Sequence, residues 1–343
     1  MNANLKQGCG ILLIASVALL SILALLPDAD VDHDAGYTAS ELSIRETVDE
    51  NVTSTSYVNS DGGITDAIDM GYATVCRMRD DNDRVVEERY LDASGNPVAR
   101  YGDYYGLSYE YEEASTVITY LDAKGNPMKR SAGYTTIVRT RAGGRTSDDF
   151  YYDLNGRQVQ CSGGYYGLHR EYNFDGQNIS VTFLDKDGHA VCTSLGYAGV
   201  TYQRDGNGTV VGEQYFDTEW NPVKNSLGQY GELYQRNEQG YIGQITYLDA
   251  DGNPTPTNAG FTILRRTYHR DGTADTDMYF DANGNPKALS KGQYGIKRSG
   301  KVNLLLDRNG NNMLCVDNIL NVFPCMVVVL GCVVCLLMIV LPK

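Results

Sequence analysis

One short turn motif recurs nine times down this 343-residue chain, at a nearly fixed period. Its lead residues are Asn59, Asp92, Asp122, Asp153, Asp185, Asp217, Asp249, Asp281 and Asp307, with steps of 33, 30, 31, 32, 32, 32, 32 and 26 residues. The fullest copies read Leu248-Asp249-Ala250-Asp251-Gly252-Asn253-Pro254 and Phe280-Asp281-Ala282-Asn283-Gly284-Asn285-Pro286. A period of this size marks a repeat architecture. It also favours a surface for binding over a pocket for chemistry, because stacked repeats present extended faces.

The letters of the motif have a physical reading. The leading aspartate accepts hydrogen bonds from backbone N–H groups a few residues on. Glycine supplies the positive φ that a type I hairpin turn needs at its left-handed position. The later proline has no N–H to donate and suits a strand start or an edge. Around Asp217 the unit reads Gly196–Arg204 as a strand, Asp205-Gly206-Asn207-Gly208 as a turn, Thr209–Phe216 as a second strand and Asp217–Pro222 as the main turn. The expected fold is therefore mainly β: tandem antiparallel β-hairpins of period about 32 forming an elongated array over 57–311.

A second element recurs between the main turns, pairing glycine with an aromatic. It gives Tyr72, Tyr104, Tyr134, Tyr165, Tyr197, Tyr230, Phe261 and Tyr294 as one ring per unit. The chain holds 26 Tyr against seven Phe and one Trp, and tyrosine suits half-exposed strand positions with an apolar ring and a wet hydroxyl. These eight rings read either as packing between repeats or as a row that stacks on a ligand such as a sugar.

The ends differ. Cys9–Leu26 and Phe323–Leu341 are almost wholly apolar. The second, 19 residues, would be roughly 28 Å long as a helix, near the thickness of a bilayer core. The reading is an N-terminal anchor or signal peptide over 1–26, an acidic stalk over 27–56 and a C-terminal transmembrane helix over 319–341. Thr38 and Glu41 have capping-box spacing, so a short helix is expected over 38–48. Lys6 before the first apolar run and Lys343 after the second predict both termini on the cytoplasmic side of a cell membrane and the array outside.

Charge and cysteine usage narrow the partners. The formal net charge is −14, which speaks against nucleic acid, since phosphate binding needs clustered Lys and Arg. Of eight cysteines only Cys76, Cys161 and Cys192 lie between the apolar ends, so no disulfide framework is expected. Cys332 and Cys335 form a CxxC inside an apolar stretch and read as packing residues. Asp249-Ala250-Asp251-Gly252 and Asp185-Lys186-Asp187-Gly188 place carboxylates two apart, but lack the further ligands of an EF-hand loop. The histidines His33, His169, His189 and His269 fall at different phases of the repeat. No catalytic site, metal or cofactor is expected. Asn51, Asn178 and Asn207 head glycosylation triplets.

The Tyr151-Tyr152-Asp153-Leu154-Asn155-Gly156-Arg157-Gln158-Val159 stretch resembles the bacterial tandem β-hairpin repeats of the YD, Rhs-like class. The resemblance covers about 57–311. Most copies depart from it by carrying Gly-Asn-Pro in place of Gly-Arg, and the unit has two turns. It implies a β-repeat surface protein and carries over no toxin activity. A looser similarity is to cell-wall-binding repeats, which expose aromatics from stacked hairpins. Together these predict a membrane-anchored extracellular β-repeat protein, not an enzyme, acting as a binding or spacer surface for a glycan, a cell-wall polymer or another surface protein. The alternative is an accessory or sensor subunit, or a fragment, of a polytopic membrane enzyme or transporter.

Overall fold

The computed structural model describes residues 34–299 and 302–313. Eighteen strands form one sheet. They are β1 (Ser43–Asp49), β2 (Val52–Val58), β3 (Thr74–Arg79), β4 (Val85–Leu91), β5 (Gly106–Tyr111), β6 (Ser115–Leu121), β7 (Thr136–Ala142), β8 (Arg145–Tyr152) and β9 (Gly167–Tyr172), followed by β10 (Asn178–Leu184), β11 (Gly199–Arg204), β12 (Val210–Phe216), β13 (Gly231–Arg236), β14 (Ile242–Leu248), β15 (Ile263–Tyr268), β16 (Ala274–Phe280), β17 (Gly295–Ser299) and β18 (Val302–Leu306). Each pairs antiparallel with its neighbour in sequence, as in β1–β2, β11–β12 and β17–β18, so the sheet is an up-and-down meander.

Two kinds of connection alternate. Short turns such as 205–209 close the hairpins β11–β12 and their equivalents. Long connections such as 217–230 lead from one hairpin to the next, and each begins with the main turn. In the second unit Asp92 Oδ1 accepts the N–H of Ser94 at 2.9 Å and of Asn96 at 2.8 Å, and Gly95 sits at φ +82°. The same pair of bonds recurs at Asp122, Asp153, Asp185, Asp217, Asp249, Asp281 and Asp307. After it the chain folds back: Pro222 bridges to Phe216 and the Val223 N–H donates to Tyr215 O at 3.0 Å. Asn225 N–H then donates to Gln229 O at 2.9 Å, closing the glycine–aromatic turn before β13. In the Asp217 copy Trp220 takes the glycine's place at φ +63°, where a Cβ costs roughly 1–2 kcal/mol. Its ring packs on Phe216 with centroids 5.2 Å apart.

The sheet winds. At roughly 4.8 Å per strand step, β1 and β15 would lie roughly 65 Å apart in a flat sheet. Yet Arg270, in the turn after β15, meets Glu41 at 2.7 Å, and its N–H donates to Asp34 Oδ1 at 2.9 Å. The same N-terminal segment bonds the first long connection through Ala39 N–H to Asp69 Oδ1 at 2.6 Å. The edge carrying the short turns therefore returns against the edge carrying the long connections. Strand twist accumulated over many strands produces such coiling.

Several expectations need correction. Thr38 and Glu41 do meet, with Thr38 N–H donating to Glu41 Oε2 at 2.7 Å, but the helix is one 3-10 turn, Ala39–Glu41. Ser43–Asp49 is the exposed edge strand β1, because Ile44, Thr47 and Val48 are β-branched and the whole segment pairs in register with β2. The array thus begins at Ser43, inside the stretch read as a stalk. Among the described residues no helix is long and apolar enough to cross a membrane. The transmembrane helix expected at each end, and the location in a cell membrane with cytoplasmic termini and an extracellular array, are therefore without structural support. Segments 1–26 and 319–341 lie outside the described residues.

Candidate functional site

Strand alternation gives the sheet two faces. One carries an aromatic ladder built from two sources. The first is the residue two before each of the first eight main turns: Tyr57, Tyr90, Tyr120, Tyr151, Phe183, Tyr215, Tyr247 and Tyr279. The second is the glycine–aromatic turn. Alternating, they run Tyr57, Tyr72, Tyr90, Tyr104, Tyr120, Tyr134, Tyr151, Tyr165, Phe183, Tyr197, Tyr215 with centroids 4.4 to 6.0 Å apart. The ladder stops at Tyr215 and resumes as Tyr247, Phe261, Tyr279, at 5.5 and 4.7 Å. Burial pushes the hydroxyls of Tyr104 and Tyr279 up to about 12 and those of Tyr134, Tyr151 and Tyr215 well above the usual tyrosine value. Arg130, held by Asp103 at 2.6 Å, lies over Tyr120 with 4.4 Å to the ring centroid.

The structure brings six of the eight rings singled out from sequence into this ladder: Tyr72, Tyr104, Tyr134, Tyr165, Tyr197 and Phe261. Tyr230 and Tyr294 are not in it. The hydrogen bond that closes the turn ends on the ring residue's own carbonyl at Tyr72, Tyr104, Tyr134, Tyr165, Tyr197 and Phe261, but on Gln229 O and Gln293 O in the remaining two units. The ladder position there belongs to glutamine, and the tyrosine is one residue later, aligned with Tyr105 and Tyr166. Half-buried Tyr230 has Lys224 Nζ 5.7 Å from its ring. Sequence reasoning missed both the strand-end rings and the glutamines. The signal for the second was present: Gly164-Tyr165-Tyr166-Gly167 against Gly228-Gln229-Tyr230-Gly231.

Two residues before the ladder ring, on the same face, four strands carry a carboxylate: Glu88, Asp149, Glu213 and Asp277. In three units the cross-strand partner is an arginine. Arg77 Nε donates to Glu88 at 2.7 Å, Arg139 Nε to Asp149 at 2.7 Å and Arg266 Nε to Asp277 at 2.6 Å. The strand on the other side adds Arg170 to Asp149 and Arg298 to Asp277, both at 2.7 Å. Burial raises the carboxyls of Asp149 and Asp277, but the bonds and charges of their two arginines outweigh it and hold both below the usual aspartate value.

The unit at Glu213 is built differently. Its cross-strand partner on β11 is Tyr202, and on β13 it faces Glu232. Tyr234 stands where Arg170 and Arg298 stand in two of the other units and where Tyr109, its hydroxyl 3.3 Å from Glu88, stands in the third. Tyr215 hydroxyl donates to Glu213 at 2.6 Å, Tyr234 hydroxyl to Glu232 at 3.1 Å and Gln229 Nε2 to Glu232 at 3.3 Å. Glu232 is 4% exposed and Gln229 is fully buried. Gln229 Oε1 has no hydrogen-bond partner. The break in the ladder and this carboxylate pair coincide.

On the opposite face of the same strands lies a cleft of about 430 Å³. Thr201, Gln203, Gln214, Leu233, Leu248 and Asp249 line it, together with Tyr202, Glu213, Gly231, Glu232 and Gly252. Elsewhere the titratable groups are dispersed. His169 pairs with Asp148 at 2.8 Å and His269 with Asp34 at 3.2 Å, in different turns of the array. Cys76, Cys161 and Cys192 are free thiols. Among the described residues no group of three or more His, Cys, Asp or Glu could hold a metal ion.

No known family model matches this chain, and no curated protein does. Among solved structures it is similar to a Photorhabdus luminescens Tc holotoxin pore, at 11% identity and a TM-score of 0.21, covering 73% of this chain and 15% of that one. A porin-like protein from Bacteroides uniformis is similar at 10% identity and a TM-score of 0.20, over 71% of this chain and 97% of that one. The TcdB2-TccC3 structure is similar at 10% identity and a TM-score of 0.19, over 80% of this chain and 19% of that one. The chain thus spans less than a fifth of either Tc chain. At TM-scores near 0.2 these likenesses decide nothing about function.

Proposed function

We propose that this chain is a non-catalytic β-repeat scaffold whose binding surface is the face opposite the aromatic ladder, with a glycan as ligand. The cleft over β11–β14 carries this reading. Its lining includes amides, a hydroxyl and a carboxylate, Gln203, Gln214, Thr201 and Asp249, which match sugar hydroxyls as donors and acceptors. Leu233 and Leu248 supply apolar surface for the sugar's C–H face. Most of the rings first considered for stacking are occupied by one another, so they serve the scaffold. Tyr230 lies outside the ladder and immediately precedes Gly231 of the cleft wall. A spacer role is compatible with the same structure, since each unit is held chiefly by its neighbours.

The test is a glycan-array and wall-polysaccharide retention screen of the full chain. Retention is expected to fall about tenfold or more in Gln214→Ala and Tyr230→Ala, with circular dichroism and the thermal transition unchanged. Absence of retention on every glycan by folded protein would remove the glycan from this reading. Unaltered retention in both variants would remove the cleft.

A further inference from the structure

We propose that Glu213 and Glu232 form a proton-sharing pair that makes the β12–β13 junction a pH-dependent seam in the array, closed when the pair holds a proton and loosened when it loses it.

Glu213 and Glu232 are direct cross-strand partners, so their Cβ atoms lie about 4.5–5.5 Å apart. Two like charges at that separation, away from water, cannot both be ionised cheaply. Elsewhere on this face an arginine answers the carboxylate. Here every neighbouring element brings something else: Tyr202 from β11, Tyr215 from β12, Tyr234 from β13, Tyr247 and Ile245 from β14, and Tyr197 and Gln229 from the long connections. The arginines around the pair are engaged elsewhere: Arg170 on Asp149 at 2.7 Å, Arg266 on Asp277 at 2.6 Å, Arg204 on backbone carbonyls of Asn178 and Gly208, and Arg236 on those of Gly240 and Val210.

Hydrogen bonding reaches the same conclusion independently. The cluster offers four carboxylate oxygens and Gln229 Oε1 as acceptors. Its donors are the Tyr215 and Tyr234 hydroxyls and one end of the Gln229 amide. Gln229 Oε1 is left without a partner in a fully buried side chain. One added proton gives this acceptor-rich cluster a further donor and removes one of the two charges. The step is a simple exchange with solvent: a carboxylate oxygen takes a proton on closing and releases it to water on opening.

The ladder adds a reason for the seam to open locally. Ring contacts that tie the hairpins together lapse between Tyr215 and Tyr247, where Gln229 replaces the aromatic. Burial, and then the facing Glu213 charge, raise the Glu232 carboxyl to about 8. Burial likewise raises Glu213, against bonds from Tyr215 and Tyr234. Both folded-state values lie above the unfolded glutamate value of 4.5. The stabilisation is therefore complete below that value and is lost as pH rises toward about 8.

Hydrogen exchange of the full chain, corrected for the intrinsic effect of pH, tests this. Between pH 6 and 8 the opening of peptides covering 210–216 and 231–236 should rise roughly tenfold or more relative to peptides from β3 and β4. Glu232→Gln should abolish that rise. So should Tyr202→Arg, which places a guanidinium where Arg77, Arg139 and Arg266 stand, and which keeps the test open if the glutamine variant does not fold. A flat profile in the parent protein, or the same rise in the folded variants, would overturn the proposal.

Discussion

The unit around Asp277 and the unit around Glu213 share one backbone plan and differ in how a carboxylate on the ladder face is neutralised. In the first, Arg266 and Arg298 grip Asp277 from both sides. In the second, tyrosines occupy both arginine positions and a second carboxylate faces the first. The strand pairing tolerates either solution. Repeat proteins hold each unit through its neighbours, so one unit can carry a weaker junction while the array survives. The pair of units is thus an internal comparison between a junction closed by built-in cations and one closed by a proton.

Removing a rung from the continuous ladder should have the largest effect. Tyr151→Ala takes away a 5% exposed ring that stacks on Tyr134 at 4.4 Å and meets Tyr165 at 5.9 Å. A loss of about 4–5 kcal/mol is expected from the vacated volume and the ring contacts, read as the shift in denaturant midpoint. A loss below about 1 kcal/mol would show that the rungs are independent of one another.

Arg266→Ala should come next. It leaves Asp277 buried with Arg298 as its one arginine partner, at an expected cost of about 3 kcal/mol in the same measurement. Replacing both Arg266 and Asp277 with apolar residues of similar size should restore most of that loss. If it does not, the pair does more than neutralise itself.

The two units should also respond to pH with opposite sign. The carboxyls of Asp149 and Asp277 are held below the unfolded aspartate value of 3.8, so their stabilisation is present above that value and is lost as pH falls through the lower folded value. Hydrogen exchange in acid should therefore loosen β7–β9 and β15–β17 before β12–β13. The reverse order would break the comparison.

The smallest effect belongs to the contact that winds the array. Arg270 and Glu41 are both exposed, so Glu41→Gln should leave the denaturant midpoint nearly unchanged. The variant should nonetheless raise exchange at 38–41, nearest the lost ion pair. An unchanged exchange rate there would show that Asp34 and Asp69 hold the segment without it.

Much of the fold was legible in the chain. Each main turn is held by an aspartate bonding backbone two and four residues away, so its chemistry is complete within a few letters. The strands on either side follow from β-branched and aromatic content. The aromatic rows were half legible: the glycine–aromatic element was visible, but its register was mistaken by one residue at Tyr230 and Tyr294, and a one-residue slip changes what a side chain faces. The strand-end rings sit two residues before the leading residue of the motif, and their contact with the glycine–aromatic rings depends on the path of the long connections, which the letters do not show. The short helix over 38–48 failed because capping spacing starts a helix without sustaining one, and pairing with β2 offered Ser43–Asp49 a complete ladder of backbone bonds.

By itself the sequence determined the repeat, its period, its turn chemistry and its antiparallel hairpins, because all of these rest on interactions between residues close in the chain. Only the tertiary structure decided which rings touch, which carboxylates meet arginine and which meet one another, because cross-strand neighbours are fixed by pairing register. It alone decided the winding, in which Asp34 reaches Arg270 across 236 positions, since that contact is set by twist summed over the intervening strands.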